Sequence, residues 1–280
     1  MKDIKELLNF GLINIDKPAG PTSFSVGEFV CRKLRLKKTS HMGTLDPKVT
    51  GVLPVTLGRA CKLSGYFIRH DKSYVGVLHT HKDCEIKELQ KLIDGNFVGK
   101  IKQTPPHRSA VKREEREREV YSWNLIEAGE TSRDFLFETR VEGGTYVRKL
   151  CSDLGEMIGG AHMGELRRSE AGIFDESTIV SLYDFEKAVD LYKGGDESML
   201  KGMVVRAEDA IKKVLPVVEV DKIALTSLYV GRPLLNSDVV GKPKLKDGDV
   251  FALFCGDVFV GVYKRGWEDG IFGKAEFVYN

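Results

Sequence analysis

The chain has 280 residues, of which 43 are lysine or arginine, 41 are aspartate or glutamate, and 42% are hydrophobic. A net charge of +2 excludes a uniformly basic protein of the histone type, and the apolar content excludes a wholly disordered chain. A nucleic-acid partner remains compatible with this balance, because a local basic surface is enough to bind one.

Cysteine use and the lack of long apolar runs predict where the protein works. The five cysteines are widely spaced without a CxxC pair, which favours reduced thiols over a disulfide framework or a zinc ribbon. No apolar run approaches the ~18 residues of a membrane span, and the first ten residues lack the apolar core of a signal peptide. We therefore expect a cytoplasmic protein with no membrane partner.

The first predicted elements are an amphipathic stretch over residues 4–10, a strand over residues 11–16 and a helix capped by Thr22 or Ser23. Residues 32–38 then hold five cations and no acid. These cations either complement the dipole at the C-terminal end of that helix or face phosphates, and the sequence leaves both alternatives open.

An irregular loop follows over residues 41–51, marked by two glycines and an Asp-Pro pair, and residues 52–57 form a predicted buried strand. Asp46 in this loop is a candidate nucleophile or base. By composition alone, an aspartate before proline is more often a turn former.

Further predicted strands cover residues 74–78, 123–127 and 135–141, and a predicted helix covers residues 85–93. Between them, residues 100–113 contain five cations, no acids and two prolines, which predicts a loop with a positive surface.

Residues 146–158 have helical spacing and end at Gly159-Gly160, and a second helical stretch is predicted over residues 199–214. From Leu215 onward the pattern of residues predicts short strands, with a hairpin at residues 250–263. About 65 residues of this kind predict a small β-barrel.

Metal and cofactor signatures are weak or absent. The chain has no GxxxxGK, GxGxxG, GxSxG or HExxH motif. His79 and His81, near Asp83 and Cys84, are the only metal-like cluster, and a loop beside a strand end explains them better than a metal site. No metal and no cofactor is expected.

Four segments, in order, resemble the motifs of TruB-type pseudouridine synthases. They are GLINIDKPAGPTS (11–23) with HMGTLDPKVTG (41–51), KSYV (72–75), GGTYVR (143–148) and GAHMGELRR (160–168). DPKVTG (46–51) and PPHRSAVKR (105–113), which resembles an RNA-gripping thumb loop, are similar to the dyskerin-like, guide-RNA-dependent branch. Ten residues precede Gly11, fewer than that branch usually carries.

The resemblance implies a site in which Asp46 is the catalytic carboxylate, Arg148 pairs with it in a closed pocket, and Tyr74 stacks on the target base. Leu166 would form the apolar wall of the pocket, and His41 would bind the RNA near the place in the stack that the base has left. The remaining implied RNA contacts are Lys17, Arg108, Lys112, Arg113, Arg167 and Arg168. Without the resemblance, Arg148 would be taken for a surface helix residue, and Tyr74 and Leu166 for ordinary strand and core residues.

The implied fold is α+β, with a mixed, largely antiparallel sheet and flanking helices in residues 1–205 and a small PUA-like, RNA-binding β-barrel in residues 206–280. The implied function is uridine-to-pseudouridine isomerisation, as the catalytic subunit of a box H/ACA guide-RNA particle acting on rRNA. Its partners would be guide and substrate RNA and the small proteins of that particle. The alternatives are a stand-alone synthase for the tRNA T-loop and a non-catalytic RNA scaffold of the same fold.

Overall fold

The computed structural model describes residues 3–105, 112–266 and 268–280. Contacts between Cα atoms divide the chain into two units, residues 1–204 and residues 205–280. The helices are α1 Ile4–Asn9, α2 Ser23–Lys33, α3 Ser64–Ile68, α4 Ile86–Asn96, α5 Val147–Ile158, α6 Leu182–Lys193, α7 Ser198–Met203, α8 Ala207–Ile211 and α9 Leu225–Tyr229.

The strands of the first sheet lie within residues 10–206. They are β1 Phe10–Lys17, β2 Thr39–His41, β3 Thr50–Gly58, β4 Lys72–Thr80, β5 Gly99–Gln103, β6 Arg116–Ala128, β7 Asp134–Val141, β8 Ala161–Ala171, β9 Phe174–Asp175, β10 Val180–Ser181 and β11 Val204–Arg206. The strands of the second unit are β12 Val217–Val220, β13 Leu234–Leu235, β14 Val239–Val240, β15 Val250–Cys255, β16 Val258–Arg265 and β17 Ile271–Val278.

The sheet of the first unit has the strand order β10-β1-β3-β8-β4-β7-β6-β5. Most neighbours are antiparallel, but β3 and β8 run parallel, as do β1 and β10. The almost unbroken burial of β1 and β3 shows that both faces of these strands are covered, which leaves them no polar side to alternate.

The register of the central strands brings distant parts of the chain into one row. Gly51 on β3 pairs with Arg168 on β8, which pairs with Tyr74 on β4, which pairs with Thr139 on β7. A Cβ atom on Gly51 would lie 2.2 Å from the carbonyl oxygen of Arg168, and the φ of Gly51 is +101°, so this crossing requires glycine.

Local sequence signals set the ends of two helices that border this row. Thr22 caps α2 by accepting a hydrogen bond from the backbone N–H of Ser25, at 3.0 Å. Gly159 ends α5 in the left-handed conformation. Both signals were predicted from the sequence, and both are confirmed.

The second unit is a six-stranded sheet in the order β13-β17-β16-β15-β12-β14, with its own buried cluster that includes Phe251, Leu253, Val260 and Tyr263. Gly256 and Asp257 connect β15 and β16 as the predicted hairpin. The predicted fold class, a mixed and largely antiparallel sheet with helices and a small β domain at the end of the chain, is confirmed. The RNA-binding role of residues 206–280 stays a prediction.

Several element predictions are wrong. The predicted loop over residues 100–113 begins as strand β5, and the single helical stretch over residues 199–214 is α7, β11 and α8. Strand β8 and helix α6 were not predicted. No helix in the described part of the chain is both long and apolar enough to span a bilayer.

Candidate active site

The loop that carries Asp46 is held on both sides by the turn between β1 and α2. Before Asp46, Ser23 Oγ accepts from the N–H of Leu45 at 2.8 Å and donates to its carbonyl at 3.1 Å. After Asp46, the carbonyl of Pro47 accepts from the N–H of Gly20 at 2.9 Å and from Lys17 Nζ at 3.1 Å. The backbone around the carboxylate is therefore fixed before any ligand arrives.

Arg148 is the direct partner of Asp46. Its Nη1 donates to Asp46 Oδ2 at 2.5 Å, although the two residues are 102 positions apart in sequence. The side chains are 45% and 41% exposed, respectively, so the expectation of a closed, dry pocket is wrong. A charged pair with this much solvent access remains free to exchange partners when a substrate enters.

Gln103, the last residue of β5, fixes the segment that positions Arg148. Its Oε1 accepts from the N–H of Tyr146 at 3.0 Å, and its Nε2 donates to the Tyr146 carbonyl at 3.3 Å. Gln103 is only 3% exposed, so water cannot easily replace these bonds. Tyr146 immediately precedes α5, whose second residue is Arg148.

Tyr74 and Arg168 are paired neighbours on β4 and β8 and form a wall beside the loop. Arg168 is 1% exposed, hydrogen-bonds to Tyr74, and donates from Nε to the Val52 carbonyl at 2.8 Å and from Nη2 to the Gly43 carbonyl at 3.1 Å. It therefore joins both ends of the Asp46 loop to the strand that carries Tyr74. Burial lowers the pKa of the Arg168 guanidinium, and its interaction with Tyr74 opposes that change.

Lys72 is a second buried cation in this wall. It is 6% exposed, and its Nζ donates to the carbonyls of Ile68 at 2.8 Å and His70 at 2.7 Å. Burial, followed by the nearby charge of Arg168, lowers the pKa of Lys72 to about 8, while Asp71 opposes this shift.

His41 lies at the end of β2, where its Nε2 is 3.3 Å from Thr44 Oγ1. Burial first, and the charge of Arg168 second, lower the pKa of His41 below its ordinary value. The imidazole is therefore neutral at neutral pH and suited to apolar or hydrogen-bonded contact with a planar ring rather than to phosphate binding.

These side chains surround one cavity of about 430 Å³, within the size range of small-molecule sites. It combines a carboxylate–guanidinium pair, a phenol and an apolar wall, a set suited to holding a planar base beside a carboxylate. The lining includes His41, Thr44, Asp46, Val49, Ile68, Lys72, Tyr74, Tyr146, Arg148, Met163, Leu166 and Arg168.

Comparisons with known proteins identify the family of this chain. Residues 31–147 match the model of the TruB family pseudouridylate synthase N-terminal domain, and residues 148–212 match that of the tRNA pseudouridylate synthase B C-terminal domain. The chain belongs to the TruB family of pseudouridine synthases. A TruB relative from Methanopyrus kandleri, named "Probable tRNA pseudouridine synthase B", is 40% identical over 96% of this chain and 80% of its own.

A relative of the same name from Korarchaeum cryptofilum is 44% identical over 88% of this chain and 76% of its own. Among solved structures, a Cbf5–Nop10–Gar1 complex aligns with a TM-score of 0.89 at 36% identity, over 99% of this chain and 87% of the other. An H/ACA RNP bound to a substrate RNA containing 2′-deoxyuridine aligns with a TM-score of 0.87 at 33% identity, over 100% and 88%. These likenesses support the dyskerin-like branch of the TruB family.

Five predicted residues of this TruB-family site line the same cavity, namely Asp46, Tyr74, Arg148, His41 and Leu166. Arg168 lines it as well, but its burial leaves the guanidinium bonded to the protein rather than open to an RNA strand.

Lys17 is fully buried and donates to Pro18 and Pro47, so it supports the Asp46 loop and does not offer the predicted RNA contact. Burial lowers the pKa of Lys17, and Asp46 opposes this.

Arg167 is occupied by two carboxylates. Its Nη1 and Nη2 donate to Asp16 at 2.9 and 3.1 Å, and its Nε donates to Glu176 at 2.6 Å. Two acids outweigh one guanidinium, so the local charge does not favour the predicted RNA contact.

Three cations of the predicted positive surface over residues 100–113 pair with acids of the segment that follows it. Lys100 pairs with Glu117 at 3.0 Å, Lys102 pairs with Glu115 at 3.3 Å, and Lys112 pairs with Glu114. Arg113 donates from Nε to the Pro105 carbonyl at 3.3 Å. Arg108 lies outside the described residues, and its role stays a prediction.

Sequence reasoning missed Lys72 and Gln103. Lys72 stands two residues before Tyr74 within a motif that was recognised, so its place next to the site was visible. Gln103 shares a strand face with Ile101, an inward position where an amide is unusual.

Sequence reasoning also missed His162, whose Nδ1 lies 3.1 Å from His81 Nε2. Among the described residues, no group of histidine, cysteine and acidic side chains has an arrangement that could hold a metal ion.

Proposed function

We propose that this TruB-family synthase is the catalytic subunit of a box H/ACA guide-RNA particle that converts uridine to pseudouridine in rRNA, with Asp46 as its catalytic carboxylate. The observation that carries the catalytic assignment is the 2.5 Å pair of Asp46 and Arg148 beside Tyr74 in one cavity. The likeness to Cbf5 in complexes with Nop10, Gar1 and RNA supports the choice of particle and small protein partners of that kind.

The reaction breaks the N1–C1′ bond of a uridine, turns the base, and joins C5 to C1′. The proton leaves C5 and N1 gains one, so the product is an isomer of the substrate. Asp46 acts either as a nucleophile at C1′ or as a base on the ribose, and Arg148 keeps the carboxylate oriented. Tyr74 stacks on the base and assists removal of the C5 proton.

The target base must leave its RNA stack before this chemistry begins. Extrusion costs on the order of a few kcal/mol, which contacts in the pocket must offset. His41 and Leu166 supply a neutral ring and an apolar wall for this purpose. In a guide-dependent particle, base pairing selects the target, so the protein needs shape and backbone contacts rather than base-edge recognition.

A second candidate is a stand-alone synthase that modifies the tRNA T-loop. The names of the relatives from Methanopyrus kandleri and Korarchaeum cryptofilum favour it. Both candidates use the same pocket and differ only in how the RNA is presented to it.

The decisive experiment measures tritium released from C5-tritiated uridine in tRNA and in rRNA fragments, with and without guide RNA and partner proteins. We expect release from rRNA fragments only when the guide is present. Release from tRNA without a guide would favour the second candidate.

Asp46→Asn is expected to abolish release while RNA affinity stays within a few fold, because the amide keeps the size of the side chain but loses its charge. The matched control is Asp94→Asn, an exposed carboxylate on α4 that should leave turnover unchanged. Turnover in the Asp46→Asn variant would remove the catalytic assignment and favour a non-catalytic RNA scaffold.

A further inference from the structure

A second pocket of the first unit lies between the C-terminal ends of α2 and α6. It has a volume of about 330 Å³ and is lined by Phe29, Arg32, Lys33, Arg35 and Lys193. Four of these five residues are cations, and none of the five lines the catalytic cavity. The pocket is therefore a separate feature that the synthase mechanism does not use.

Charge counting shows an excess of positive charge in this pocket. Lys33 pairs with Glu186, and Lys193 pairs with Asp190 at 3.0 Å. Arg32 and Arg35 are exposed and meet no carboxylate in the described part of the chain. The two helix ends contribute roughly −0.5 each, so the two free guanidinium groups leave a net charge of about +1. Neutralising the helix dipoles thus accounts for only part of the basic character.

Arg35 adds an independent observation from the backbone. It is the only non-glycine residue with positive φ in the described ranges, at +53°. The N–H of Leu36 bonds to the Cys31 carbonyl at 3.0 Å, and the N–H of Arg35 bonds to the Arg32 carbonyl at 3.2 Å, which is the Schellman pattern that ends α2. This position favours glycine, so the backbone is strained at an arginine whose side chain lines the pocket.

We propose that this pocket is a second RNA-binding site, in which Arg32 and Arg35 hold backbone phosphates of RNA that extends beyond the catalytic cavity. Guanidinium groups match phosphate oxygens through paired hydrogen bonds, and they remain charged at every physiological pH. The proposal rests on the proposed function only in taking RNA as the ligand. It requires neither a guide nor turnover.

The test uses the full chain and a fluorescein-labelled RNA hairpin, titrated over a series of KCl concentrations. In the variant Arg32→Gln/Arg35→Gly, we expect about tenfold weaker binding at low salt and a slope of log affinity against log salt that is shallower by about 2. The thermal midpoint of the single variant Arg35→Gly should equal or exceed that of the wild type, because glycine relieves the strained φ. Weaker RNA binding by Arg35→Gly therefore cannot be attributed to misfolding.

The matched control is Lys87→Gln/Lys91→Gln, which removes two exposed cations from α4 and changes the net charge by the same amount. Unchanged affinity and slope in the Arg32→Gln/Arg35→Gly variant would overturn the proposal. A pocket that binds an acidic protein segment instead of RNA would give this result. An equal loss in the control would also overturn it. Tritium release at saturating RNA should be unaffected, so a failure of the proposed function remains distinguishable from a failure of this site.

Discussion

Lys72 and Arg168 place two cations in the wall of the catalytic cavity, and neither forms an ion pair with a carboxylate among the described residues. Burying a charge without a counter-charge is costly, and here backbone carbonyls supply the compensating hydrogen bonds. Both cations lie in the same cavity as Asp46. The site is therefore preorganised with positive charge near the place where a negative ligand or transition state would form.

The lowered pKa of Lys72 predicts a pH dependence of stability. Between pH 8 and 10.5 the unfolded chain keeps a proton at Lys72 that the folded chain has released, so the free energy of unfolding should rise with pH across this window. In the Lys72→Met variant this contribution is absent. The difference between wild type and variant, measured by urea unfolding at several pH values, should change in favour of the wild type by on the order of 3 kcal/mol.

Below pH 8 both states hold the proton, so the difference between wild type and Lys72→Met should be flat there. Lys72→Arg serves as the control, because arginine stays charged through the whole window and should show no such rise. A wild-type advantage over Lys72→Met that does not vary with pH would show that Lys72 keeps an ordinary pKa in the folded protein.

At the scale of elements, the link from Gln103 to Tyr146 connects the end of β5 to the start of α5. Removing this side chain should let the segment before Arg148 shift, and a displacement of about 1 Å at a reacting group can cost on the order of a hundredfold in rate. We expect Gln103→Ala to lower kcat between about tenfold and a hundredfold. RNA affinity should stay within a few fold, as measured by single-turnover tritium release and by titration.

Gln90 offers a matched control for Gln103. Its amide also bridges backbone groups of a strand, donating to the Trp123 carbonyl at 2.9 Å and accepting from the Leu125 N–H at 2.7 Å. Gln90→Ala should therefore lower stability to a similar extent without lowering kcat. An equal fall in kcat in both variants would mean that Gln103 contributes stability and does not position Arg148.

The elements that the sequence predicts well carry their signals locally. The segment of β1 alternates apolar and polar residues, the segment of β3 is largely apolar, α2 has a capping Thr22, and α5 ends at Gly159. Strand β8 was missed because its buried positions include Arg168, which a hydrophobic pattern counts as polar. Helix α6 was missed although it carries a local signal, since Ser181 caps it and Phe185, Ala188 and Val189 share its buried face.

Only some residues of the site could be predicted from the sequence. Asp46, Tyr74 and Arg148 came from motif resemblance, and their common cavity agrees with that set. The role of Gln103 depends on the backbone groups that face it in the folded sheet, 43 positions away, and no local pattern encodes such a contact. The same limit applies to Lys100, whose partner Glu117 is brought close by β6 only after β5 has paired with that strand.

For the whole molecule, the net charge of +2 conceals an uneven distribution. Cations in and near β5 are paired with acids, whereas Arg32 and Arg35 are not paired in the described structure. A chain that is nearly neutral overall can therefore bind RNA in a strongly salt-dependent way through a few local contacts.

The two units contain separate buried clusters, which predicts that a core defect in one unit stays local. Phe251 is fully buried against Tyr263 and Phe272, with ring centroids 6.1 and 5.6 Å away. Phe251→Ala should cost about 3–5 kcal/mol of local stability. Hydrogen exchange measured by mass spectrometry should then accelerate in β15, β16 and β17, while β3 and β4 keep their protection.

Phe137→Ala is the reciprocal variant, because Phe137 is fully buried in the cluster of the first unit beside Trp123. It should accelerate exchange in β4 and β7 and leave β15 and β16 protected. Turnover at saturating RNA should persist in Phe251→Ala, since all residues that line the catalytic cavity belong to the first unit. Loss of protection in β3 or β4 on changing Phe251 would instead show that the two units unfold as one cooperative body.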